Sequence, residues 1–517
     1  MDTGAARMTA EAHGSTTTEA RGKTTAEARR LEALSWMWLG IGAVGFVFIG
    51  WKYNVPAASW LAPIFLIRFF RDRARWPATL IAVPALAVAS FIQMNGGWDM
   101  HPWMMYLACL LRPIAFVAAL YADRALYRRL PTAAATLVYP AVYLVVDYLI
   151  ALTPMGSGMS MSATQLGLPV VSQLASVTGI WGIGFLIGWI AAVVNAAWDA
   201  RRSGARAAVR SGAGAVVPVA AGVLVLVVGF GSGRLALDRP AAPTVRIGSV
   251  TIEHPRDYWA WIDQSTPRDL VAGYAGELAA ITDRLFAQSQ RAVAAGARII
   301  FWSEGNAVLT QDTESAFMER AAAFAKDHGV YLAPAMVVLR YGQTISDNKI
   351  VLFRPDGSRA FTYVKTMSWY PTGSDGVLKT EPTPYGRLGA AICFDMDFPS
   401  FIHRLGVERA DIVLVPAFDR KPIRPYHTEV GVLRGIENGF SVVRQTNQGT
   451  SMAMDGVGHL LARQEFFETN DRLMISDVPT RRVPTPYAAL GEWFACAGMA
   501  LALTLVAWGA LRRPTGP

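Results

Sequence analysis

The chain has 517 residues and a formal net charge of +9, and 52% of its residues are hydrophobic while only 17% are charged. Its length allows two or three domains, and so low a charged fraction indicates membrane-spanning segments. The basic residues cluster at the ends of apolar runs, which is a pattern of membrane topology and not of nucleic-acid binding. We therefore predict the bilayer as a partner and no nucleic acid.

Residues 1–33 are polar and repetitive, with near copies of one motif beginning at Thr9, Thr17 and Thr25. This segment has no apolar stripe that could pack against a core. It is predicted to be a disordered cytoplasmic tail.

Seven apolar runs follow the tail, and an eighth lies near the C-terminus. A membrane span needs roughly 20 predominantly apolar residues, although the second run is shorter. We predict a seven-span domain over 34–233 and a C-terminal span over 489–510. The runs are 34–51, 56–70, 77–95, 102–122, 132–152, 173–198, 213–231 and 489–510.

The loop charges predict the orientation of these spans. Arginine clusters follow the second, fourth and sixth runs, whereas the loops 94–102 and 153–172 contain no Lys or Arg. Because basic loops stay in the cytoplasm, both termini are predicted to be cytoplasmic and the long segment 240–485 to lie on the outer face. Lys52 is the one exception to the alternation.

Segment 240–485 alternates short β-type runs with helical patterns, which predicts one layered α/β domain. Three of its predicted strands end in a reactive side chain. These side chains are the carboxyl of Glu304, the ammonium of Lys365 and the thiol of Cys393. Active sites of α/β folds gather at the carboxyl ends of strands, so we expect the three groups in one site.

A thiol is a weak nucleophile until a base removes its proton and a cation stabilises the thiolate. Glu304 can serve as that base, and Lys365 can hold the thiolate and then an oxyanion. Alternatively, Cys393 is a small buried hydrophobe and the other two are solvated surface residues. The remaining cysteines, Cys109 and Cys496, lie in apolar runs. The three predict neither a disulfide framework nor a metal site, and no cofactor is predicted.

The order of Glu304, Lys365 and Cys393, each after a strand, resembles the nitrilase (carbon–nitrogen hydrolase) superfamily. The matching motifs are Trp302-Ser-Glu304, Tyr363-Val-Lys365, Gly386-Arg-Leu-Gly-Ala-Ala-Ile-Cys393-Phe-Asp395, Arg434-Gly-Ile-Glu437-Asn438-Gly and Arg444-Gln-Thr-Asn447-Gln-Gly449. The resemblance implies a four-layer αββα sandwich with these three residues as its triad. It also implies that Arg434 and Glu437 support the site, although an exposed helical ion pair is an alternative.

The whole arrangement of spans and outer domain resembles one branch, the apolipoprotein N-acyltransferases, as does the stretch from Gln173 to Leu186. That resemblance implies a ping-pong reaction at the outer face of a bacterial inner membrane. Cys393 would take an acyl chain from a phospholipid as a thioester. The N-terminal amine of a diacylglyceryl-cysteine lipoprotein would then accept the chain.

Two loops depart from that branch. The stretch from Lys365 to Cys393 lacks the Pro-Phe-Gly-Glu motif that supplies a second acid, and Asp375 is the nearest substitute. The loop after Val415 is short and more like that of soluble nitrilases. Two alternatives therefore stay open: a membrane-anchored amidase that passes the acyl group to water, and a non-catalytic membrane scaffold. The complete triad argues against the scaffold.

Overall fold

The structure is a computed structural model that describes residues 29–97, 102–202, 213–238, 242–255, 273–341, 347–369 and 372–512. Most of the predicted N-terminal tail lies outside these ranges. Its last residues, 29–33, are helical and begin the first helix.

In the part of the first half that the structure describes, the chain forms a bundle of seven main helices. They are α1 (29–47), α2 (Pro56–Asp72), α3 (Arg75–Met94), α4 (Pro102–Leu126), α5 (Val138–Ala151), α6 (Ile180–Arg202) and α7 (Ala213–Leu237). One-turn helices at Thr132–Ala135, Pro169–Ser172 and Ala175–Thr178 and 3₁₀ turns at Trp51–Tyr53 and Met161–Gln165 connect them.

Six helices of the described residues are long and apolar enough to cross a membrane, judged by length and composition. They are Arg75–Met94, Trp103–Leu126, Thr132–Ala151, Ile180–Arg202, Gly214–Leu237 and Trp493–Leu511. Large apolar side chains such as Leu80 and Leu226 point away from the protein, 70% and 72% exposed, as expected of a surface that faces lipid. The first two apolar runs form α1 and α2, and α2 has 17 residues, too few to count among the six.

Among the described residues, fourteen strands in the second half of the chain form two sheets. The strands are β1 (Thr244–Val250), β2 (Ile299–Trp302), β3 (Ala307–Thr310), β4 (Tyr331–Ala333), β5 (Ala335–Leu339), β6 (Asp347–Phe353), β7 (Arg359–Val364), β8 (Thr380–Thr383), β9 (Gly386–Ala390), β10 (Ile412–Phe418), β11 (Ser441–Asn447), β12 (Thr450–Met454), β13 (Leu460–Glu465) and β14 (Leu473–Pro479). One sheet has the order β14-β1-β2-β4-β6-β5-β3, with β7 on β6, and the other has the order β13-β12-β11-β10-β9-β8.

Alternating side chains of strand β2 show how the layers form. Ile299 and Phe301 pack between the two sheets, whereas Ile300 and Trp302 pack on the other face against helices. Successive side chains of a strand point to opposite faces, so a fully apolar strand is buried on both. The helices on that outer face are α8 (Ala275–Ala294) and α9 (Glu314–His328).

The second sheet is covered by α10 (Pro399–Val407) and α11 (Tyr426–Asn438). Val432 of α11 belongs to the core between layers, while Leu433 and Ile436 belong to the core of the helical bundle. Helix α11 is therefore buried on both sides, between sheet and bundle. The four-layer αββα sandwich beside a multi-helix domain confirms the predicted fold class, and α12 (Trp493–Leu511) packs back against α5.

A loop of the bundle touches the turn that carries Cys393. Ser157 N donates to the carbonyl oxygen of Asp397 over 2.7 Å, and Tyr426 Oη donates to Gly158 O over 2.8 Å. Gly156 has a φ of +61°, and a Cβ there would come within 3.0 Å of Asp397. Glycine favours this positive φ and allows the close approach, which brings the bundle directly to the turn that carries Cys393.

Candidate active site

Cys393 lies at the turn that follows strand β9, in a 3₁₀ turn of residues Cys393–Asp397. Its φ of +48° is in the left-handed region, which a non-glycine residue adopts at a cost. The side chain is 4% exposed, and its Sγ donates to the carbonyl oxygen of Phe418 over 3.4 Å. A strained strand-to-turn position is a known way to present a nucleophile.

Glu304 and Lys365 meet beside this turn, as the strand-end pattern predicted. Lys365 Nζ donates to Glu304 Oε1 over 2.7 Å, and Asn348 Nδ2 donates to the same oxygen over 2.7 Å. The backbone N–H of Phe418 donates to Glu304 Oε2 over 3.0 Å. Phe418 thus contacts both Glu304 and Cys393, and the three reactive groups share one buried site.

Asp395 joins the nucleophile turn to the strand end that carries Lys365. Its carboxylate accepts hydrogen bonds from Tyr363 Oη and from the backbone N–H groups of Thr366, Met367 and Ile392, at 2.7, 3.2, 2.7 and 2.8 Å. Burial raises the pKa of Asp395 to about 6, so the group still accepts all four bonds as a carboxylate at neutral pH. The sequence motif from Gly386 to Asp395 includes this residue but predicts no role for it.

The charges of the site oppose each other. Burial, with the charge of Glu304, raises the pKa of the Cys393 thiol, while Lys365 and Arg444 act to lower it. Burial acts to lower the pKa of Lys365, but Glu304 and Cys393 outweigh it and the pKa is raised. The resting site therefore holds a protonated thiol beside a charged ammonium. Glu304 acts on both groups, because its charge raises the pKa of the thiol and that of the ammonium.

Four further charged residues form a cluster next to Cys393: Asp397, Asp419, His427 and Arg444. His427 Nδ1 lies 2.5 Å and Arg444 Nη2 lies 3.0 Å from the same oxygen, Asp419 Oδ1. His427 Nε2 lies 3.4 Å from Asp397 Oδ1. We call these four residues the charged cluster. Sequence spacing does not predict this cluster, because its members come from four separate segments.

The Sγ of Cys393, a carboxylate oxygen of Asp419 and a ring nitrogen of His427 lie within 4.8 Å of one another, a set that could hold a metal ion. Arg444 Nη2 lies among them, 3.0 Å from Asp419 Oδ1, 3.1 Å from His427 Nδ1 and 4.0 Å from Cys393 Sγ. A guanidinium already occupies the cationic position, so we infer no metal there.

His427 gives a testable pH dependence. Burial acts to lower its pKa, but Asp419 and Asp397 outweigh burial and raise the pKa to about 9. An unfolded histidine titrates near 6.5, so the imidazolium stabilises the folded state fully below that pH and the stabilisation is lost as pH rises to about 9. We expect this loss to be on the order of 3 kcal/mol.

The check is thermal unfolding in detergent at pH 6.5 and pH 9. Wild type should lose more thermal stability over this interval than His427→Gln, which lacks the titrating group. Equal losses in the two proteins would show that His427 is not held as an imidazolium.

The predicted supporting residues Arg434 and Glu437 lie on helix α11. Arg434 and Glu437 are fully buried and 3.1 Å apart, so the alternative of an exposed ion pair is wrong. Glu437 Oε1 accepts from the backbone N–H of Ile180 over 2.8 Å, at the start of α6. Because a carboxylate at a helix N-terminus satisfies an otherwise free donor, this pair joins the sandwich to the bundle.

Asp375 is exposed, and its carboxylate pairs with Lys379 Nζ over 2.7 Å. Among the described contacts, none joins it to Glu304, Lys365 or Cys393. The idea that Asp375 replaces the second acid is therefore not supported by the geometry. A four-residue spacing to Lys379 within one short loop favours a local, solvated pair.

Residues 262–484 match the sequence model of the family described as carbon–nitrogen hydrolase. The chain is 25% identical over 379 residues to an apolipoprotein N-acyltransferase of Geobacter metallireducens, covering 67% of this chain and 69% of the relative. It is 30% identical over 168 residues to one of Pasteurella multocida, covering 31% of each chain.

Two other similarities are to amidases. A deaminated glutathione amidase of Yersinia enterocolitica is 31% identical over 97 residues, covering 17% of this chain and 34% of the relative. Among solved structures, an amidase from Nesterenkonia sp. has a TM-score of 0.35 and 18% identity, and the match covers 46% of this chain and 92% of that one.

Proposed function

We propose that this protein, which carries a carbon–nitrogen hydrolase domain on a bundle of apolar helices, is an apolipoprotein N-acyltransferase. It would move an acyl chain from a phospholipid to the N-terminal amine of diacylglyceryl-cysteine lipoproteins. The similarity to N-acyltransferases extends over both the helical bundle and the sandwich, since it covers 67% of the chain. The amidase similarity covers only 17%.

The observation that carries the proposal is the site itself. Cys393, Glu304 and Lys365 lie together in one buried site around Phe418, and the turn with Cys393 contacts a loop of the apolar bundle through Ser157. A nucleophile placed against the membrane domain can reach an acyl ester that stays in the lipid layer. A soluble amidase has no need of that contact.

In the first half-reaction, Glu304 takes the proton of the Cys393 thiol and the thiolate attacks the ester carbonyl of the phospholipid. The carbon–sulfur bond forms, the carbon–oxygen bond breaks, and the leaving alkoxide takes the proton back from Glu304. Lys365 stabilises the negative charge on the carbonyl oxygen during this step. The product is a thioester on Cys393 and a lysophospholipid.

In the second half-reaction, the α-amine of the lipoprotein attacks the thioester. The carbon–nitrogen bond forms and the carbon–sulfur bond breaks, which returns the thiolate. Glu304 takes a proton from the amine and passes it to the thiolate, so the site is restored. The same three residues therefore serve both steps, with Lys365 again next to the oxyanion.

The orientation of the bundle is part of the proposal. The basic loops would face the cytoplasm and the sandwich the periplasmic side of the inner membrane. Arg71 and Arg124 lie at the same end of the bundle, where Arg71 pairs with Asp123 over 2.8 Å and Arg124 bonds the carbonyl oxygen of Arg73. Buried pairing allows several arginines to share this end of the helices.

A membrane-anchored amidase is the second candidate. The short loop Pro416-Ala-Phe418-Asp419 favours it, because this loop resembles soluble nitrilases. In that reaction water, not an amine, would take the acyl group from Cys393. The two candidates share the thioester and differ in the acceptor.

Mass spectrometry of lipoprotein N-termini separates them. A strain without this protein, and with no second copy of the gene, should accumulate diacylated lipoproteins with a free amine. Expression of wild type should restore the third acyl chain, and expression of Cys393→Ala should not. Fully triacylated lipoproteins in the deletion strain would count against the acyltransferase and leave the amidase.

A further inference from the structure

Two cations lie near the sulfur of Cys393. Lys365 is the one that the strand pattern predicted. Its ammonium pairs with Glu304, with 2.7 Å between Nζ and Oε1. The other is Arg444, whose Nη2 lies 4.0 Å from Cys393 Sγ and whose Nη1 lies 3.5 Å from the carbonyl oxygen of Cys393. Arg444 comes from strand β11, next to β10, which ends in Phe418.

Arg444 is completely buried, as is Asp419, its ion-pair partner. A buried guanidinium is costly unless it is paired and its donors are used. Here Nη2 donates to Asp419 and Nη1 to the backbone of Cys393, while Nε has no hydrogen-bond partner among the described residues. His427 donates to the same Asp419 oxygen, which fixes the carboxylate between two cations.

We propose that Arg444 is a catalytic residue that stabilises the thiolate of Cys393, with Asp419 and His427 as positioning residues that aim its guanidinium. This rests on the proposed role of Cys393 as the nucleophile, but not on which acyl donor or acceptor is used. The thiolate occurs twice in the reaction, as attacking group and as leaving group. A fixed cation next to the sulfur therefore assists both half-reactions.

The sign of the effect follows from the charges that remain. The charged cluster contains two cations, Arg444 and His427, and two anions, Asp419 and Asp397. Without the guanidinium, the charged cluster keeps two carboxylates and one imidazolium, while Glu304 and Lys365 still act on the thiol in opposite directions. Both the lost attraction and the uncompensated negative charge disfavour the thiolate.

The main alternative hypothesis is that Arg444 has only a structural role. Arg444 also holds the backbone of Cys393 in its strained conformation, so its loss could slow catalysis by displacing the turn. That role predicts a lower rate at every pH. A charge effect predicts instead that the pH at which the thiol becomes reactive moves upward.

The experiment is the pH dependence of Cys393 alkylation by iodoacetamide in the full chain in detergent. Mass spectrometry of the Cys393 peptide separates its labelling from that of Cys109 and Cys496. Arg444→Gln, which keeps a hydrogen-bond donor but no charge, should react about tenfold or more slowly at pH 7 than wild type. Its profile should move to higher pH. Arg444→Lys should restore much of the wild-type profile.

The matched control is Arg354→Gln. It removes a guanidinium that pairs with Glu381 over 2.7 Å and leaves the charged cluster intact. It should alkylate as wild type does. Only variants with a wild-type thermal melt are compared, and Arg444→Lys supplies the charge-keeping variant if Arg444→Gln does not fold.

With Arg444→Gln folded, a profile at the wild-type pH would overturn the proposal. If only Arg444→Lys folds, its alkylation profile should stay near the pH of wild type, because the positive charge is kept. A profile shifted to much higher pH would then overturn the proposal. Alkylation needs neither phospholipid nor lipoprotein. A shifted alkylation profile would therefore support the role of Arg444 even if the acyltransferase assay failed. Likewise, an unshifted profile would leave a positive acyltransferase assay unaffected.

Discussion

Replacing Cys393 with alanine is expected to abolish acyl transfer, to roughly 10⁻⁴ of wild type or less. The thiol is the atom that carries the acyl chain between donor and acceptor, so no other group of the site can substitute for it. Its neighbours Glu304 and Lys365 form no covalent bond in the proposed reaction. The measurement is transfer of a labelled acyl chain from phospholipid to a diacylated lipopeptide.

The matched control is Cys496→Ser, because Cys496 is an exposed free thiol on α12. It should keep wild-type activity. The fold of Cys393→Ala should persist, since the change removes one buried atom and Asp395 still ties the turn to Lys365's strand end. Substantial transfer by folded Cys393→Ala would exclude a Cys393 thioester from the mechanism.

Replacing Lys365 with methionine is expected to lower kcat by roughly 10²–10³-fold, with a smaller effect on substrate affinity. The ammonium lowers the pKa of Cys393 and lies 2.7 Å from Glu304, so its loss disfavours the thiolate and the oxyanion together. Glu304 keeps two partners, the amide of Asn348 and the N–H of Phe418, which limits the loss of stability.

Lys379→Met is the corresponding control, because Lys379 makes a similar 2.7 Å ion pair with the exposed Asp375. It should leave kcat unchanged. Steady-state kinetics with varied phospholipid separates the effects on kcat and KM. If Lys365→Met raised KM alone, Lys365 would bind substrate and would not stabilise charge in the transition state.

The sequence predicted a reactive side chain at the end of each of three strands. Short apolar runs indicate buried strands, and a reactive residue directly after such a run is easily recognised. Glu304, Lys365 and Cys393 share a site for this reason. The positive φ of Cys393 and the four hydrogen bonds to Asp395 could not be predicted, since they depend on a turn packed against another loop.

The charged cluster was missed for a related reason. Asp397 lies in the turn with Cys393, Asp419 directly follows β10, His427 lies in the first turn of α11, and Arg444 lies in β11. Only the parallel pairing of β10 and β11 and the packing of α11 bring them together. Sequence spacing carries no information on such contacts.

The contacts of Arg434, Glu437 and Asp375 could not be predicted from the sequence. The first two are conspicuous charges on a helix, and their buried contact with Ile180 depends on how the bundle meets the sandwich. Asp375 is only the acid nearest in sequence to the position of the missing motif. A loop residue is free to turn to solvent, and here its carboxylate pairs with Lys379.

The most direct test of the central claim is the mass of the intact protein after incubation with phospholipid of one defined acyl chain and no acceptor. We predict that wild type gains one acyl group on Cys393 that hydroxylamine releases, as a thioester requires. Cys393→Ala should gain none, and a diacylated lipopeptide should discharge the adduct from wild type. A wild-type protein that remains unmodified, or that carries the acyl group on another residue, would contradict the mechanism.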